Sequence, residues 1–133
     1  MSLWTHVSGA IRFDGVVIRG NNEIMLKGLK KTLGNTCNFD SPKEDWDKCN
    51  VPCGSEGSLQ YEIYEYHTGL PWAIVPIWGD LRDFGSEEQV QQIKDWFYKV
   101  CKDWGLVRQG ILQIQVGSEE GIILQYTDKE AKP

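Results

Sequence analysis

Apolar and polar positions alternate along residues 4–13. Leu3, Val7, Ile11 and Phe13 share one parity, and Trp4, His6, Ser8, Ala10 and Arg12 hold the other. Successive side chains of a strand point to opposite faces, so the pattern predicts a strand in a sheet covered on one side. Asp14-Gly15 signals a turn, after which Val16, Val17 and Ile18 extend the sheet or pack as a short connector. The period then changes. Met25, Leu26, Leu29 and Leu33 recur at helical spacing, Asn21 or Asn22 can cap the first turn, and Gly34-Asn35 supplies a stop. A helix is predicted over 22–33. Residues 34–57 show no period and read as a long loop insertion, a length that marks a functional or mobile segment. Phe39 and Trp46 are expected to tack it to the body of the domain.

Period two returns at 58–66, where Leu59, Tyr61, Ile63 and Glu65 alternate with Gln60, Glu62, Tyr64 and Tyr66. A turn at 67–71 leads to a second strand at 72–78, forming a hairpin. Pro76 lies inside that strand and predicts an edge, a bend or a bulge, because proline cannot donate to a ladder. Ser86 with Gln89 forms a capping box, and Glu87 and Glu88 sit where the helix dipole favours anions. Val90, Ile93, Phe97, Val100, Cys101 and Trp104 then trace one helix face up to Gly105. Two strands follow at 106–116 and 121–126, joined by a short loop, and a polar tail from 128 is expected to fray. The order is β-α-β-β-α-β plus one more strand. It predicts an α+β chain of ferredoxin-like arrangement, one domain over 1–133, with an antiparallel sheet and two helices on one face.

Composition narrows the class. With 133 residues, 41% of them hydrophobic and 25% charged, the chain suits one folded domain and not a disordered one. A net charge of −5 opposes non-specific nucleic-acid binding, which depends on Lys and Arg neutralising phosphates. The densest basic group, Lys27, Lys30 and Lys31, reads as a solvated helix face. The apolar run at 73–78 is too short to span a bilayer, and the opening MSLWTHVSG lacks the pattern of a signal peptide. The expected location is the cytoplasm.

Chemistry-bearing residues are few. Three of the four cysteines fall in TCNFDSPKEDWDKCNVPCG, where Cys37, Cys49 and Cys53 stand twelve and four positions apart. They are candidate zinc ligands, but only Cys49 and Cys53 have the spacing of a knuckle, and a fourth donor would come from His67, Cys101 or Asp40. Cys101 is better read as helix core. A disulfide and reduced loop thiols are the alternatives, the former disfavoured in a reducing cytoplasm. Without a clear metal set, the segment reads more readily as a lid. No phosphate-cradling motif is present, and the adjacent carboxylates, such as Asp80 with Asp83, read as loop solvation. The weak catalytic candidates are His6 with Glu62.

The most informative feature is aromatic. If helices cover the parity of Val7, Ile11, Ile63, Val75, Leu112 and Ile114, the other face carries Trp4, His6, Arg12, Glu62, Tyr64, Tyr66, Trp72, Trp78, Gln113 and Gln115. Large rings on a polar sheet face predict an occupant: a protein partner, a second copy of the chain, a small molecule or the chain's own loop. Trp4, His6, Arg12, Tyr64, Tyr66, Trp72 and Trp78 are the expected contact residues.

The opening MSLWTHVSGAIRFDG resembles the start of small uncharacterised proteins encoded by bacteriophages. That resemblance implies an accessory protein that binds and neutralises a host factor or a host signalling molecule. The resulting expectation is a cytoplasmic, non-enzymatic, homodimeric binding protein without nucleic-acid or membrane partners and without a required cofactor. The alternatives are a small hydrolase or lyase using His6 with a nearby carboxylate, and a zinc-stabilised protein-interaction module.

Overall fold

The structure is a computed structural model that describes residues 2–14, 22–65, 72–105 and 107–128, of which 14, 22–25, 65 and 72 by backbone only. Strand β1 (Trp4–Asp14) is followed by helix α1 (Asn22–Leu33), a short helix α2 (Lys43–Lys48) and four two-residue strands. These are β2 (Cys53–Gly54), β3 (Gly57–Ser58), β4 (Gln60–Tyr61) and β5 (Tyr64–Glu65). Then come β6 (Trp72–Arg82), helix α3 (Glu87–Trp104), β7 (Val107–Val116) and β8 (Ile122–Thr127). The main sheet runs β4-β6-β1-β7-β8, with β5 also on β6, and every pairing in it is antiparallel. The chain is thus α+β, and among the described residues no helix is long and apolar enough to cross a membrane.

Parity decides what the sheet buries. Val7, Ile11, Phe13, Ala73, Val75, Ile77, Leu81, Leu112, Ile114 and Leu124 enter one core with Leu29 and Leu33 of α1 and Ile93, Phe97, Val100 and Cys101 of α3. Each fully buried large apolar side chain contributes about 1.5–3 kcal/mol to that core. The two long helices also touch. The Trp96 indole N–H donates to the carbonyl of Leu33 at 2.9 Å, meeting one of the acceptors a helix leaves open at its end. Trp104 meets Phe13 edge-on at 6.0 Å between ring centroids. Where β1 and β7 cross the core, Gly9 has no side chain to spare. A Cβ there would run into the Ile111 carbonyl and lie 2.8 Å from Leu112 Cα.

Three expectations need correction. The strand expected at 58–66 is divided, because β3 pairs with β2 in a separate hairpin while β4 and β5 pair with β6. Pro76 explains the gap between β4 and β5. Their register on β6 is the same on both sides, Tyr61 opposite Ile77 and Tyr64 opposite Ile74. Between them the Glu62 N–H donates to the Pro76 carbonyl at 3.3 Å, and proline has no N–H to return. The missing donor faces outward, so β6 stays paired with β1 from Trp72 to Arg82 without a bulge. Strand β6 also runs past 78 to Arg82, which places Asp80 on a strand and not in a loop.

The segment 34–57 is a built unit and not a free lid. It holds α2 and the β2–β3 hairpin. Ser55 N–H donates to Arg82 O at 2.9 Å, and a Cβ on Gly54 would lie 2.6 Å from that same carbonyl, so backbone packs on backbone here. Tyr61 Oη donates to Gly34 O at 2.7 Å. Val51, Leu59 and Cys37 are buried, while Phe39 is 72% exposed and does not anchor the segment. The connector at 16–18 and the turn at 67–71 lie outside the described residues.

Candidate binding face and thiol cluster

The face of the sheet opposite the core is built in rows across the strands. One row reads Tyr64, Ile74, Arg12, Gln109 and Thr127, and the next reads Pro76, Ala10, Ile111 and Gln125. A third runs Gln60, Trp78, Ser8, Gln113 and Ile123. Tyr64, Trp78, Ile111 and Ile123 are 61%, 44%, 47% and 60% exposed, so neither the 34–57 segment nor another described residue covers them. A shallow depression of about 350 Å³ lies over the middle of the face, lined by Ala10, Arg12, Ile74, Gln109, Ile111 and Thr127 among others.

The structure brings Trp4, His6, Arg12, Tyr64 and Trp78 to this face by strand parity and register. Trp72 stands opposite Asp14 at the start of β6 and is described by its backbone only, and Tyr66 lies outside the described residues. Ile74, Ile111 and Ile123 share the face and were missed. The signal was available, because Ile111 has the parity of Gln113 and Gln115. Arg82 is a further addition. Its guanidinium lies 6.0 Å from the Trp4 ring centroid, donates to Glu56 at 2.8 Å and to Ser2 Oγ at 3.0 Å.

His6 and Glu62 do not form a pair. His6 Nδ1 meets Asp80 Oδ1 at 2.5 Å, with both side chains at least half exposed. Glu62 sits beside Pro76, whereas His6 sits opposite Asp80. Four residues along a strand separate these positions by roughly 13 Å. The carboxylate that His6 meets is therefore Asp80.

The cysteines are a different matter. Cys37 follows α1, Cys49 caps the C-terminus of α2, and Cys53 opens β2. Their sulfurs all lie within 4.8 Å of one another, and Cys37 Sγ is 3.5 Å from Cys53 Sγ. Cys37 is fixed by its backbone. Its N–H donates to Ser58 Oγ at 3.0 Å, and its carbonyl accepts from Ser58 N–H at 2.9 Å and Gln60 Nε2 at 2.8 Å. Asn35 and Asn50 tie the two ends of the α2 excursion together through the Asn35 N–H and the Asn50 carboxamide oxygen, 2.5 Å apart. Burial pushes the Cys37 and Cys53 thiols up from their ordinary value; Cys49 adds to the rise at both and Cys37 adds to it at Cys53, while the hydrogen bond with Cys53 works against it at Cys37. All four cysteines are free.

Of the donors considered for a fourth corner, Cys101 is fully buried in the α3 core and Asp40 stands outside the cluster, while His67 lies outside the described residues. The three thiols are nevertheless close enough to share a metal ion. Compared with known proteins, the chain matches no family model, no curated sequence and no solved structure.

Proposed function

We propose that this chain is a small binding module without a catalytic step, in which a zinc-class ion held by Cys37, Cys49 and Cys53 staples the turns of the 34–58 segment to one another. The convergence of three thiols carries the reading. Zinc–sulfur bonds of about 2.3 Å place tetrahedral thiolates about 3.8 Å apart. The observed 3.5 Å and the 4.8 Å upper bound bracket that spacing. A disulfide would use two of the sulfurs and leave the third without a task. The metal would join the end of α1, the end of α2 and the β2–β3 hairpin, three places otherwise linked by a handful of hydrogen bonds.

The open sheet face is the interacting surface in this reading. Its apolar side chains are spread over several rows and do not converge in a closed pocket, which suits the surface of a protein better than a small molecule. The expected target is a host factor, in line with the resemblance of the opening strand to bacteriophage-encoded proteins. A reducing compartment such as the cytoplasm would keep the thiols available. The fold is read as ferredoxin-like. With β4 and β5 counted as one interrupted strand, the order of the first four strands across the sheet and the shared core of α1 and α3 support this.

Cobalt(II) substitution tests the metal. The reduced full chain should bind one equivalent and show the intense thiolate charge-transfer band and tetrahedral visible spectrum that zinc then abolishes. Cys37→Ser, Cys49→Ser and Cys53→Ser should each weaken binding by more than about 100-fold, beyond the loss typical of supporting residues, and Cys101→Ser should not. A reduced, folded chain that takes up no cobalt, or gives only a weak octahedral spectrum, rejects the proposal.

A further inference from the structure

We propose that two copies of this chain associate edge to edge, β8 against β8, as an antiparallel pair about a two-fold axis, so that their sheets become one. The inference stands apart from the thiol cluster.

The two edges of the sheet differ in kind. One is β4 and β5, two-residue pieces interrupted opposite Pro76. The other is β8, six residues in unbroken register with β7 from Gln109–Thr127 to Ile114–Ile122. Among the described residues no strand lies beyond β8. An edge strand presents a row of backbone N–H and C=O groups to any chain that can pair with it. Proteins that remain single blunt such edges with charge, proline or bulges. The sequence IILQYT of β8 contains no charged residue and no proline, and the strand has no bulge.

Apolar exposure gathers at the same edge. Ile122 and Ile123 of β8 and Ile111 beside them on β7 are three of the large apolar residues most open to water. On the helix side, a groove of about 760 Å³ between α3 and β8, lined by Tyr98, Lys102, Gly105, Tyr126 and Asp128, can take the inward side chains of an added strand, and its two charges are of opposite sign.

Charge and symmetry identify the occupant. The net charge of −5 opposes contact between two copies, and β8, which carries no charged residue, is where that opposition is smallest. Pairing must keep the parity of the faces, with Ile123, Gln125 and Thr127 on the open side and Leu124 on the core side. A two-fold axis at Leu124 or at Gln125 does this. Either position brings the two Gln125 side chains opposite or diagonal to each other on one face. The pairing is isologous and consumes the one long edge strand among the described residues, so it closes as a dimer and does not grow into a fibre.

Sedimentation equilibrium of the full chain, with a charge swap at Gln125, tests the proposal. Wild type should run as a dimer. Gln125→Lys alone and Gln125→Glu alone should each dissociate roughly tenfold or more readily, since like charges then face each other, and an equal mixture should recover the dimer. Hydrogen exchange at alternate amides of β8 should slow in wild type with rising protein concentration. A wild-type monomer at all concentrations overturns the proposal. So does a dimer that survives both Gln125 variants but is lost in Trp78→Ser, which would place the interface on the sheet face.

Discussion

Cys101 shows how much its surroundings determine what a side chain does. Three other thiols stand together in a loop, while this one is sealed under Gly110 and Phe97, and burial pushes it up to about 12. The folded protein therefore holds the proton more tightly than the unfolded chain. Below pH 9 both states keep it and stability is unaffected. As pH climbs from 9 toward 12, the unfolded chain ionises first, and stability on the order of a few kcal/mol is lost across that window. Cys101→Ala should flatten this alkaline slope in urea titrations run at successive pH values. At neutral pH, native Cys101 should also resist a maleimide. Gly9 makes the converse point, since what matters there is the side chain it lacks. Gly9→Ala must push β1 away from the Ile111 carbonyl at the centre of the sheet. Its expected cost is about 1–3 kcal/mol, as for other overpacked cores, visible as a lowered urea midpoint.

Among the elements, α3 has the most complete set of local signals. Ser86 Oγ accepts from Gln89 N–H at 3.1 Å, and the Gln89 side chain accepts in return from Ser86 N–H at 3.1 Å. Gly105 closes the helix at φ 73°, a conformation glycine adopts without strain. Ser86→Ala should cost about 1 kcal/mol, measured by thermal unfolding with an unchanged far-ultraviolet spectrum. Such local rules explain why α1, α3, β1 and the last hairpin could be read directly from the chain. They also explain the failure between 34 and 66. There, the breaks in pairing are set by a neighbour distant in sequence, Pro76, and by Arg82, whose carbonyl takes the turn of the β2–β3 hairpin. A period-two pattern reports which face a residue occupies and says nothing about whether its partner strand has an N–H to offer.

For the whole molecule, the sequence pattern correctly separated a covered sheet face from an open one, because parity is a local property. It placed Trp4, His6, Arg12, Tyr64 and Trp78 on the open side. It grouped Cys37, Cys49 and Cys53 as candidate ligands, and the structure brings them within reach of one ion, but spacing alone did not show how they meet. Their meeting depends on how α2 turns back and on the clasp between Cys37 and Ser58, contacts that span sixteen to twenty-one positions of an aperiodic segment. It also paired His6 with the wrong carboxylate, since Asp80 reaches it only through the extension of β6.

The central place of β1 has a consequence for the order in which the molecule can form. Both of its neighbours are synthesised long after it, β6 beginning at Trp72 and β7 at Val107. On a ribosome, β1 emerges with nothing to pair with and waits as an unpaired apolar strand while more than half the chain is made. At about 5–20 residues per second, that wait lasts several seconds. The sheet can close only when β7 is clear of the exit tunnel, so β1 waits longest for its partners and is the strand most in need of a chaperone.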